Sequence, residues 1–209
     1  MKKLIDKQEP EHPVNLLGVD FDIVAIAASA GGLKAISQIL AHLPATFPCA
    51  IVIVQHLDPR HPSLMADILS RYTLLLVKQA QQGDRLKPGR VYIAPPDHHL
   101  LVNLDGTVCL TQSQLVHFLR PSADLLFDSV AASYKERAIA VVLTGAGNDG
   151  AMGVQAIKQM GGMVIAQDQA TSEFFGMPKA AIATGMVDMI LPLPEIASAL
   201  ITLIKQVAT

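Results

Sequence analysis

Short apolar blocks recur along the chain, and most hand over to a stretch with helical spacing. Residues 21–27 are apolar and β-prone and run into Ala28-Ser29-Ala30-Gly31-Gly32, which predicts a strand ending in a tight turn. Leu33, Ile36, Leu40 and Leu43 then recur at helical spacing, with Lys34, Ser37 and Gln38 between them, until Pro44 and Pro48 stop the helix. The same grammar repeats: a buried strand over 50–54 ends at Gln55-His56, and a helix over about 63–71 buries Leu64, Ile68 and Leu69. Between residues 91 and 110 two β-prone runs flank Asp105-Gly106, a dipeptide suited to an antiparallel hairpin. Pro121-Ser122 opens a helix carrying Leu125, Leu126 and Val130. A buried strand over 138–143 runs into the glycine-rich loop 144–150, and a helix follows through Val154 and Ile157. A strand over 163–166, a turn at Gly176-Met177-Pro178 into a short helix, and a final helix from Pro194 to about 205 complete the pattern. Strands alternating with helices imply an α/β fold with a mainly parallel sheet covered on both faces.

Residues 1–20 carry charges and two prolines with nothing periodic to bury, so they read as a flexible tail ahead of one domain, 21–209. Composition fits this: 51% of residues are hydrophobic and 16% charged. The net charge of -2 comes without basic clusters, which offers no footprint for nucleic acid or an anionic membrane. The two cysteines, Cys49 and Cys109, form no CxxC pair and read as core thiols. The start lacks a signal-peptide core and no window is apolar for long enough to span a bilayer, so a cytoplasmic protein is expected.

Ligands of open parallel sheets bind beyond the carboxyl ends of the strands. Ser29 leaves the first strand, His56 leaves the second, and Asp149 lies in the loop after a later one. A serine hydroxyl becomes nucleophilic when a base takes its proton and an acid fixes that base. The helix start after Ser29 adds unpaired amides for an oxyanion. Each fragment also has a plainer reading. Ser29 with its glycines suits a helix cap or phosphate loop, His56 a satisfied half-buried histidine, and Asp149 a cap on the helix after it. His56 and His61, on either side of Pro59, lack the spacing of paired metal ligands. His98 and His99 read as surface or rim residues, and Asp58 and Asp168 compete with Asp149 for the acid role, Asp168 the better placed after a buried strand.

In order, the segments AASAGG, QHLDPRHPS, VYIAPPDHH, RPSADLLF, LTGAGNDGAMG, IAQD and FFGMPKAAI resemble the catalytic domain of the chemotaxis protein-glutamate methylesterase family over about residues 21–204. The resemblance implies a doubly wound sheet and hydrolysis of glutamate γ-methyl esters on receptor signalling helices, with deamidation of receptor glutamines as a companion activity. It maps nucleophile, base and acid onto Ser29, His56 and Asp149. It also puts the oxyanion pocket at the backbone of Ala30 and Ala146, where the chemotaxis enzymes often have threonine and methionine. No metal and no cofactor are implied. The implied partner is a methylated chemoreceptor or related signalling protein. With only a short tail expected ahead of the fold in place of an attached receiver domain, control is either absent or exerted by a separate regulatory or methyltransferase protein. Arg120 is the candidate for drawing acidic receptor residues to the cleft. The competing reading is a catalytically silent regulatory module; a general small-ester hydrolase is the third.

Overall fold

The computed structural model describes residues 22–57 and 60–205. The tail expected over 1–20, its boundary with the domain, and Asp58 lie outside the described residues. The chain runs β1 (Ile23–Ala28), α1 (Gly32–Ala41), β2 (Ala50–Gln55), α2 (Met65–Leu69), β3 (Leu76–Gln79), β4 (Arg90–Ile93), β5 (His99–Val102), β6 (Val108–Thr111) and α3 (Ala123–Tyr134). It continues through β7 (Ala138–Val142), α4 (Ala151–Gln159), β8 (Met163–Gln167), α5 (Gly176–Ala183), β9 (Met189–Leu191) and α6 (Leu193–Lys205).

Seven strands form one parallel sheet in the order β3-β4-β2-β1-β7-β8-β9, while β5 and β6 pair antiparallel in a separate hairpin. The central strands are apolar at every position because both faces are covered. Val24, Ile26 and Ala28 of β1 pack with the buried faces of α1, α2 and α6, and Ile23, Ala25 and Ala27 with α3, α4 and the hairpin. The sheet is doubly wound, as expected: β2 lies on one side of β1 and β7 on the other, so the winding reverses between β1 and β7. Two glycines make the chain turn sharply there. Gly31 (φ 76°) precedes α1 and Gly150 (φ 96°) precedes α4, both in the left-handed region that a side chain disfavours.

Several expectations need correction. Residues 90–93 join the main sheet, and the hairpin around Gly106 is built from β5 and β6 instead. The edge strands β3 and β9 stand outside the expected elements; both are short and half-exposed. α2 is shorter than the predicted 63–71, leaving Leu64 66% exposed, and Leu33 stands exposed on the first turn of α1. Cys49 is buried, which pushes its thiol up to about 12, but Cys109 is only half-buried on the hairpin. Among the described residues no helix is long and apolar enough to cross a membrane.

Candidate active site at the carboxyl edge of the sheet

The β1–β2 register ends at Ala28 opposite Gln55, so Ser29 and His56 leave neighbouring strands side by side. The ladder extends one step further, with the His56 amide donating to the Ala28 carbonyl at 3.2 Å. On the other side the Ser29 amide donates to the Thr144 carbonyl at 3.0 Å, tying Ser29 to the loop after β7. Gln55 fastens both segments from below: its Nε2 donates to the carbonyls of Ser29 (2.8 Å) and His56 (3.1 Å). A Cβ on Gly32 would lie 2.1 Å from Gln55 Oε1, so only glycine leaves room for this clasp.

That loop also delivers the acid. His56 Nε2 donates to Asp149 Oδ2 at 2.8 Å, with the imidazole 11% exposed and the carboxylate 1% exposed. Asp149 accepts three further hydrogen bonds, from the Ala123 amide to Oδ2 (2.6 Å) and from Ser122 Oγ (2.9 Å) and the Asp124 amide (3.1 Å) to Oδ1. It therefore caps the start of α3 rather than α4, the helix that follows it in sequence. Asp124 returns the favour, its Oδ1 accepting the Gly153 amide of α4 at 2.8 Å. Burial drives the Asp149 carboxyl up, but the hydrogen bonds from His56, Ala123 and Asp124 outweigh it and hold the group below its ordinary value. Asp124, mainly desolvated and facing Asp149, is raised.

The hydroxyl of Ser29 bonds neither ring nitrogen of His56 here; the imidazole's side-chain bond is to Asp149. With Nε2 donating to the acid, Nδ1 is the ring nitrogen left to act as a base. The Ala30 turn is pinned by Thr144 Oγ1, which donates to the Ala30 carbonyl at 3.0 Å. Among the described residues the amides of Ala30 and Ala146 have no acceptor. A cleft of about 190 Å³ opens beside this turn, lined by Gly31, Lys34, Gln38, Thr144, Gln167 and Glu173 among others.

The other candidates are placed elsewhere. Asp168 Oδ1 accepts from the amide and hydroxyl of Thr171, closing its own turn. His61 is exposed, and among the described residues no group of three or more potential ligands could hold a metal. His98 is half-buried, but His99, expected at the surface or rim, is 0% exposed beneath the start of α3. Arg120, expected to face a partner's acids, has internal partners instead. Nε and Nη2 grip Asp97 Oδ1 (2.9 and 2.6 Å), while Nη1 donates to the carbonyls of Gln112 (2.9 Å) and Ser113 (2.8 Å). Sequence reasoning missed Gln55, Ser122, His99 and Asp124; all four stand within the segments that carry the resemblance, but their tertiary partners leave no local pattern.

The CheB methylesterase family model matches residues 24–200. The crystal structure of the Thermotoga maritima CheB methylesterase catalytic domain superposes with a TM-score of 0.84 at 42% identity, covering 88% of this chain and 100% of that one. A Burkholderia lata protein named protein-glutamate methylesterase/protein-glutamine glutaminase 2 is 47% identical over 184 residues, 88% of this chain and 54% of its own length. A Moorella thermoacetica protein named protein-glutamate methylesterase/protein-glutamine glutaminase is 41% identical over 187 residues, 88% of this chain and 44% of its own. The chain thus spans about half the length of these two relatives. It spans 96% of a Leptospira interrogans relative that is 40% identical over 185 residues. A doubly wound sheet that matches the Thermotoga domain over its whole length, together with a family match spanning most of the fold, establishes that this chain belongs to the CheB methylesterase family.

Proposed function

We propose that the chain is a serine hydrolase that removes methyl groups from glutamate γ-methyl esters on chemoreceptor signalling helices, and that it deamidates glutamine at the same site. The observation that carries this is the His56–Asp149 pair at 2.8 Å, one residue beyond the strand adjoining that of Ser29. His56 Nδ1 takes the Ser29 proton as the hydroxyl attacks the ester carbonyl. The charge developing on the carbonyl oxygen is met by the amides of Ala30 and Ala146, supported by the positive end of α1. Protonated His56, stabilised by Asp149, passes its proton to the departing methoxide, and methanol leaves. Water then attacks the acyl-enzyme with His56 again as base, releasing the glutamate carboxylate. From a glutamine side chain the same steps release ammonia.

A protein substrate fits the rim of this edge, where Leu64, Met152 and Phe174 stand exposed at 66, 62 and 44% at or near the starts of α2, α4 and α5. Large apolar side chains in solvent around a polar centre suit the apolar stripe of a partner helix. Such a receptor segment lies in the cytoplasm, and the reading places the enzyme there with it.

The test is methanol release from a methylated receptor fragment by the wild type beside Ser29→Ala. A drop of about 10³-fold or more in the variant is expected, since a triad without its nucleophile keeps only residual catalysis. Release by neither protein would favour a silent module, and release by both would remove Ser29.

A further inference from the structure

Ser122 occupies the N-cap position of α3, where a serine hydroxyl ordinarily accepts a hydrogen bond from an amide of the first turn. It makes no such bond. Its hydroxyl instead donates to Asp149 Oδ1 at 2.9 Å, and Asp149 takes over the cap by accepting the amides of Ala123 and Asp124. Ser122 is itself held from behind. Its amide donates to His99 Nδ1 at 3.1 Å, and His99 Nε2 donates to the Gln114 carbonyl at 3.1 Å. A carbonyl only accepts and an amide only donates, so the two contacts together fix His99 as the neutral tautomer with its proton on Nε2. Both side chains are 0% exposed. The carbonyl that receives His99 follows directly on the Gln112 and Ser113 carbonyls that Arg120 latches.

We propose that Ser122 and His99 are positioning residues for the hydrolysis: His99 seats Ser122 at the head of α3, and the Ser122 hydroxyl pins Asp149 Oδ1 so that Oδ2 stays aimed at His56. This rests on the hydrolase reading above. A carboxylate is free to turn about its Cβ–Cγ bond, and the Ser122 hydroxyl is the side-chain donor on the oxygen that His56 does not use. Burial keeps His99 below its ordinary value, with Arg120 adding to the effect and the hydrogen bond to the Gln114 carbonyl, Asp149 and Asp97 opposing it. A protonated ring would turn an N–H against the Ser122 amide, donor against donor, and the seat would be lost.

Ser122→Ala removes the hydroxyl and keeps the amide, so the fold of α3 is retained. Two readouts decide. In protein labelled with ¹⁵N-histidine, the His56 Nε2 proton bonded to Asp149 is expected to shift and to exchange with water faster in the variant; this needs no substrate. In the methanol-release assay, kcat is expected to fall by about tenfold or more with KM unchanged, the mark of a lost charge-assisted hydrogen bond that acts in the transition state. His99→Asn, whose side-chain oxygen can still receive the Ser122 amide, is expected to keep most of the turnover that His99→Leu loses. A Ser122→Ala variant with the wild-type proton signal, or with the wild-type kcat, overturns the proposal, and equal losses in the two His99 variants overturn the part assigned to His99. A wild type that releases no methanol fails the hydrolase reading instead, and leaves the proton signal to judge the positioning.

Discussion

Asp149 accepts four hydrogen bonds, so an amide in its place turns one satisfied oxygen into a nitrogen facing donors. If the nitrogen takes the Oδ2 position it meets His56 and the Ala123 amide; at Oδ1 it meets Ser122 and the Asp124 amide. Asp149→Asn is therefore expected to lower kcat by about 10⁴-fold, the scale of losing the acid that fixes a catalytic histidine. Stability should fall by roughly 1–3 kcal/mol for the unsatisfied buried group. Methanol release and a urea midpoint measure the two, and near-normal turnover would release Asp149 from its role. Gly32→Ala acts at the neighbouring clasp. Its Cβ would stand 2.1 Å from Gln55 Oε1 and 2.7 Å from the Ala28 Cβ, so about 1–3 kcal/mol of stability should go, together with turnover as Gln55 leaves the Ser29 and His56 carbonyls. An unchanged urea midpoint would show that the clasp yields without cost. Ser29, His56 and Asp149 were visible in sequence because each stands just past a strand or in a glycine-rich loop. Gln55, Ser122 and His99 were hidden because their bonds span 26, 27 and 23 residues and exist only once the sheet is assembled.

At the scale of elements, two helix starts converge on one edge with different duties. The start of α3 is spent on Asp149, which keeps that acid ionised despite its burial. The turn before α1 leaves the Ala30 amide without an acceptor, as the proposed hydrolysis requires of an oxyanion donor. The elements around them were legible where burial on both faces makes a strand continuously apolar, as in β1, β2 and β7. They were illegible where an edge strand of three or four half-exposed residues is defined by its neighbour's backbone, as in β3 and β9. The exposed residues at the helix starts supply a test of the substrate class. Met152→Ala and Phe174→Ala remove apolar surface that a bound helix would cover, each side chain being worth about 1.5–3 kcal/mol when fully buried. A several-fold rise in KM for a methylated receptor fragment, with a simple aryl ester hydrolysed as before, is the expected split. Equal effects on both substrates would place these residues in the reaction itself rather than in docking.

Across the whole molecule, two apolar layers sandwich the sheet, while the polar groups of the site are sealed against the layer that holds α3, α4 and the hairpin. Acid should loosen the fold from this polar seam. His99 titrates in the unfolded chain near 6.5, whereas burial holds it lower in the fold, so the unfolded state binds the proton first. Its contribution is fully present above about pH 6.5 and is lost as the pH falls through its folded value, with a slope of at most about 1.4 kcal/mol per pH unit for one proton. Asp149 is depressed in the same sense, so its contribution is lost in a lower window, below about pH 4. Asp124 and Asp128 are raised by burial and act oppositely: they favour the fold at low pH and weaken it as the pH rises through their folded values. Between pH 8 and 5 the histidine and the two raised aspartates pull in opposite directions, and exchanging His99 isolates the histidine's share. Urea midpoints at pH 8, 6.5 and 5 are compared for the wild type and His99→Asn, which has no proton to gain there. The variant should start lower, and the gap between the two is expected to narrow as the pH falls. Parallel slopes for the two proteins would show that the seam is not where acid enters, because the only group exchanged between them is the one that titrates in that range.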